Sequence, residues 1–159
     1  MMIDFDKLAT FPSIGWDFDK TLVGSEASPH LHRFITDHPD IKHYIVTFRT
    51  HGLVQSIPFD LQIADAPPLN RFSGVLSIPQ EYWVDNECAL RDRRSGILTG
   101  PLTEEEILYK TWKGFICQKN SIPVLVDDDT TNTIIGCEKY SVLLVDPLDL
   151  IPYEGDFFD

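Results

Sequence analysis

Long apolar runs are missing from this 159-residue sequence. None approaches the roughly 18 residues that a spanning helix requires, which excludes a helical integral membrane protein. Cysteine is scarce: Cys88, Cys117 and Cys137 are scattered without a Cys-x-x-Cys pair. Three thiols cannot pair fully within one chain, so a reduced, cytoplasmic protein is expected. Positive charge is also scarce, with 13 Lys and Arg against 25 Asp and Glu and a net charge of -12. Such a surface repels phosphate polymers and argues against a general nucleic-acid binder. Met1 to Thr10 has no apolar core and does not read as a signal peptide. Repeats and low-complexity tracts are lacking too.

What is present is a folding composition, with 43% hydrophobic residues. The length suits one domain over 1–159. Ser13 to Trp16, His43 to Thr47, Val124 to Val126 and Val142 to Val145 read as short strands. Their apolar residues run uninterrupted rather than alternating, which suits a parallel sheet covered on both faces. Ser28-Pro29 is a helix start, followed by Leu31, Phe34 and Ile35 on one face. Thr103-x-x-Glu106 has the form of a capping box and opens a predicted helix over about 104–118. The alternation predicts a doubly wound α/β fold with a mainly parallel sheet and helices on both faces. In such sheets the site lies beyond the carboxyl ends of the strands, which directs attention to Asp17, Thr47 and Asp127. Residues 67–100 show turn residues and short β-like stretches without a helical period, and are expected to form a small β-rich insertion of hairpins or loop.

The acids are unevenly spread. Asp127 to Asp159 carries nine of them against one Lys. Asp17 and Asp19 follow the first buried strand two residues apart, and Asp127-Asp128-Asp129 follow another. Carboxylates gathered in one pocket repel each other unless a cation neutralises them, and oxygen ligands suit a hard ion such as Mg²⁺. Ile3-Asp4-Phe5-Asp6 nearly copies the first motif, but it lacks a preceding strand and the Thr, and is expected to be a surface segment.

Taken in order, the chain reads strand-Asp17-x-Asp19-x-Thr21, strand-Thr47, a helical Lys (Lys110, Lys113 or Lys119) and strand-Asp127-Asp128. This resembles the haloacid dehalogenase superfamily of phosphohydrolases, over about residues 13–146. Members commonly have Gly where this chain has Lys20. The resemblance implies a Mg²⁺-dependent phosphatase acting on a small phosphorylated substrate. Asp17 would be the nucleophile forming an aspartyl phosphate. Asp19 would be the acid and then the base. Thr47 and the backbone N–H groups of Phe18 to Lys20 would hold the phosphoryl oxygens. Lys110, preferred on spacing over Lys113, would add positive charge. Asp17, Asp19, Asp127 and Asp128 would form the metal site, with Asp129 facing solvent. The alternative is a catalytically idle relative that senses phosphate or a partner.

Two further segments carry expectations. Tyr82 and Trp83, with Arg91, Arg93 and Arg94, form either a lid over the substrate or core aromatics under a hairpin. In the acidic tail, Tyr153 and at least one of Phe157 and Phe158 are expected to dock on the body without a catalytic role. His30-x-His32 has metal-like spacing on a helix and is expected to lie at the surface.

Overall fold

A computed structural model describes residues 3–150. Its centre is a sheet of five parallel strands: β1 (Ser13–Trp16), β2 (Lys42–Thr47), β3 (Gly74–Ser77), β4 (Val124–Val126) and β5 (Leu143–Val145). Their spatial order is β3-β2-β1-β4-β5. The chain builds outward from β1 to one edge, then returns to place β4 on the other side of β1. The order therefore reverses between β1 and β4, where a doubly wound sheet opens a crevice.

Both faces of the sheet are covered, and successive residues of a strand serve opposite sides. Ile14, Trp16, Ile45, Val124 and Val126 pack with Leu31, Phe34 and Ile35 of α2 (Ser28–Asp37) and, past the short helix α3 (His51–Val54), with Ile57 and Leu61 of α4 (Ile57–Ile63). Val46 and Leu125 face the other way, toward Trp112 and Cys117 of α6 (Glu104–Lys119) and Cys137 of α7 (Thr130–Lys139). Two-sided burial is the reason these strands read as apolar runs. It also buries the polar ends of Trp16 and His43, which satisfy each other: Trp16 Nε1–H donates to His43 Nδ1 at 3.0 Å. His43 Nε2 then donates to the His38 carbonyl at 2.9 Å. Burial holds the His43 pKa below its ordinary value.

The predicted capping box is present. Glu106 N–H donates to Thr103 Oγ1 at 3.2 Å, and Thr103 N–H donates to Glu106 Oε1 at 3.1 Å. Residues 67–100 differ from the expected hairpins. They contribute a 3₁₀ turn (Leu69–Arg71), the edge strand β3 and the sixteen-residue helix α5 (Gln80–Ser95). The apolar residues of α5 do not form one stripe, so no helical period shows in the sequence. Its end is nevertheless signposted, by Arg93 and Arg94 in the last turn and by Gly96 at φ 83°. Tyr82 and Trp83, both half-buried, pack against the core formed by Val46, Ile78, Trp112 and Leu125.

The near-copy Ile3 to Leu8 also differs from a plain surface segment. Asp4 caps the short helix α1 (Phe5–Leu8), while Ile3, Phe5 and Leu8 enter the core. His32 Nε2 bonds to the Leu22 carbonyl at 2.5 Å, which anchors α2 to the loop after β1. Leu150 is buried at the end of a 3₁₀ turn. Tyr153, Phe157 and Phe158 lie outside the described residues.

Candidate active site

The site forms where β1, β2 and β4 end. Asp17 continues β1 by donating its N–H to the Val126 carbonyl at 2.9 Å, so the two strands end side by side. The chain then turns back through Phe18 to Val23, with Val23 N–H bonded to the Phe18 carbonyl at 3.1 Å. Lys20 takes a left-handed conformation here, at φ 61°, a region glycine occupies without strain. Thr21 ties the turn to both acidic segments. Its hydroxyl lies 3.1 Å from Asp17 Oδ2 and 3.3 Å from Asp128 Oδ1, and its oxygen faces the Asp128 N–H at 3.3 Å.

Lys113 is the cation of this pocket. Its Nζ donates to Asp17 Oδ1 at 2.8 Å and to Asp127 Oδ2 at 2.7 Å. The ammonium also lies 4.7 Å from the centre of the Phe48 ring. Lys110, preferred on spacing, is not brought to these carboxylates. It lines a neighbouring cavity with Phe48, Arg94 and Tyr109. The two lysines are three residues apart on α6, about 60° of helix rotation, and the packing of that helix decides between them.

The rotation of α6 is set by α7. A Cβ on Gly114 would lie 2.2 Å from the Gly136 carbonyl oxygen, and one on Gly136 would lie 2.7 Å from Thr111 Cα. The two helices therefore touch backbone to backbone, and this contact turns the adjacent Lys113 toward β1 and β4.

Asp17, Asp127 and Asp128 each offer a carboxylate oxygen, and the three lie within 4.8 Å of one another. Asp17 and Asp127 are buried, while Asp128 is exposed. Asp127 Oδ1 also accepts from the Asp129 N–H at 2.9 Å, and Asp129 itself caps α7. Burial works against the Lys113 charge, but Asp17 and Asp127 outweigh it and hold its pKa above the ordinary range. The ammonium is charged. The three carboxylates of the cluster outnumber the one ammonium, and the repulsion is relieved at Asp17, which holds its proton more tightly. Burial, opposed by Lys113 and reinforced by Asp127, pushes its pKa up to about 8. An oxygen-only donor set with unbalanced negative charge fits a hard divalent cation.

Asp19 is not part of that cluster. Its carboxylate is gripped from two sides by Arg49, with Nε to Oδ2 at 2.9 Å and Nη2 to Oδ1 at 2.7 Å. Arg49 reaches Asp60 Oδ2 as well, at 2.6 Å, and sits 4.7 Å from the Phe18 ring centre. The bonds from Asp19 and Asp60 raise the Arg49 pKa. Arg49 received no role from the sequence, although it lies two residues after Thr47 at a strand end. Thr47 is buried, and its Oγ1 accepts the Arg49 N–H at 3.0 Å, which leaves its own hydroxyl hydrogen to donate.

No protein-family model, no curated protein and no solved structure matches the chain. The fold is a parallel five-stranded α/β sheet of Rossmann-like form. Among the described residues, no helix is long and apolar enough to cross a membrane.

Proposed function

We propose that the protein is a Mg²⁺-dependent phosphatase of the haloacid dehalogenase type, hydrolysing small phosphomonoesters through an aspartyl phosphate. The observation that carries this reading is the meeting of Asp17, Asp127, Asp128 and Lys113 in the crevice between β1 and β4. The order of motifs along the chain supports it. Asp17 attacks phosphorus as the bond to the leaving oxygen breaks, and Asp19, released from Arg49 and protonated from solvent, gives the leaving oxygen its proton. Water then attacks the phosphorus, Asp19 accepts its proton, and Asp17 is released with inorganic phosphate. Thr47 and Lys113 stabilise the phosphoryl oxygens as charge shifts onto them. Asp17, Asp127 and Asp128 would hold a magnesium ion, which supplies charge neutralisation between nucleophile and phosphate.

A second reading, a phosphate-binding protein without turnover, is favoured by one feature: the two-sided grip of Arg49 on Asp19, which occupies both oxygens of the proposed acid. Release of free phosphate from a panel of phosphomonoesters, with and without Mg²⁺, separates the two. The expected result is Mg²⁺-dependent turnover that Asp17→Asn abolishes. Phosphate binding without release of product from any ester would sink the enzymatic reading.

A further inference from the structure

Beside the carboxylate site lies a cavity of about 360 Å³, within the range of small-molecule sites. It is walled by Phe48 and Tyr109, by Arg93, Arg94 and Lys110, and by Asp129 at the start of α7. Two of these residues connect it to the chemistry. Phe48 follows Thr47 and carries the Lys113 ammonium 4.7 Å from its ring centre. Asp129 follows Asp128 and bonds Asp127 through its N–H.

The charges in the cavity fall into two kinds. Arg93 is committed to the fold: it forks onto Glu106, with Nη2 to Oε1 at 2.8 Å, and bonds the Gly100 and Pro101 carbonyls. Asp129 is committed as well, holding Asn132 Nδ2 at 3.2 Å while it caps α7. Arg94 and Lys110 are different. Among the described residues neither has an ion-pair partner, although the protein as a whole carries a net charge of -12. Two uncommitted cations lining one cavity, one from α5 and one from α6, make a local positive field that attracts an anion. The Phe48 and Tyr109 rings, stacked on each other at 5.1 Å with 17° between their planes, add apolar surface to the lining.

We infer that this cavity receives the leaving group of the substrate, and that Arg94 and Lys110 select one bearing a second anionic group. The inference rests on the phosphatase reading for the position of the phosphate, but not for the recognition of the second anion. It also gives the α5 segment a use: its Arg94 lines the cavity, whereas Tyr82 and Trp83 pack against the core.

The test compares two stable probes of matched shape, 4-carboxybenzylphosphonate and its neutral carboxamide, by titration calorimetry on the whole chain with Mg²⁺ present. Wild type is expected to bind the carboxylate about tenfold tighter, the order of magnitude for two exposed charge pairs. In Arg94→Gln/Lys110→Met the ratio should fall to near one, and each single variant should lose part of it. Arg94 is exposed and Lys110 half-buried, so unchanged melting temperatures are expected and confirm intact folds. Equal affinities in wild type, failure to bind either probe, or a ratio that survives in the double variant would each overturn the subsite. Discrimination without turnover of any phosphomonoester would leave the subsite standing and sink the phosphatase. Turnover of p-nitrophenyl phosphate without discrimination would do the reverse.

Discussion

At the scale of single residues, the site depends on Lys113 more than on any other side chain. It is the counter-charge for two buried carboxylates, and nothing else among the described residues neutralises both. Removing one partner of a buried ion pair leaves the other charge without solvent or partner, which costs about 3–5 kcal/mol. Lys113→Met is therefore expected to lower the unfolding free energy by that order in urea titrations. Lys119→Met, at an exposed position of the same helix, should change it by less than about 0.5 kcal/mol. Equal effects would show that the Lys113 ion pairs contribute nothing. Asp17, Thr21, Asp127 and Asp128 were legible in the sequence because each closes or follows a buried strand. Arg49 was not, because a cation two residues past a strand end carries no pattern of its own. Its partners Asp19 and Asp60 lie 30 and 11 residues away.

At the scale of elements, the contact of α6 with α7 governs which lysine enters the site. Gly114 lies inside a helix, where alanine would ordinarily be favoured by about 1 kcal/mol. Here its Cβ would meet the Gly136 backbone at 2.2 Å, and backbone cannot step aside as a flexible side chain can. Gly114→Ala is expected to lower the unfolding free energy by about 1–3 kcal/mol despite its better helix propensity. It should also reduce phosphate release, because Lys113 moves with the helix. A rise in melting temperature would disprove the close approach. Strands β1, β2, β4 and β5, and the start of α6 with its capping box, were readable because each has a local cause: an apolar run or a reciprocal pair of hydrogen bonds. Helix α5 was not readable, because its apolar side chains are spread round the helix and ten of its sixteen residues are charged or polar.

For the molecule as a whole, the joint between α5 and α6 makes stability depend on acid. Arg93 on Glu106, with help from Thr103, draws the Glu106 pKa down to about 2 from an ordinary 4.5. The folded pKa is depressed, so the unfolded chain takes up the proton first as pH falls. The stabilisation is complete above about pH 4.5 and is lost as pH drops toward 2. The melting-temperature gap between wild type and Glu106→Gln should be widest above pH 4.5 and should close toward pH 2. A gap independent of pH would show that the pair has no electrostatic share in stability. Taking the difference between the two proteins cancels other titrating groups, including Asp17, which acts in the opposite sense.

The fold class, four of the five strands and the acidic clusters were determined by the sequence alone. These follow from burial of apolar runs and from charge repulsion, which act between near neighbours and leave a local mark. The parallel register, the edge strand β3, the selection of Lys113 over Lys110 and the grip of Arg49 on Asp19 were decided only by the tertiary structure. Each depends on how far a helix rotates or which distant segment returns to the sheet edge. That is settled by packing between surfaces far apart in the chain, such as the glycine contact of α6 and α7, and not by any spacing along it.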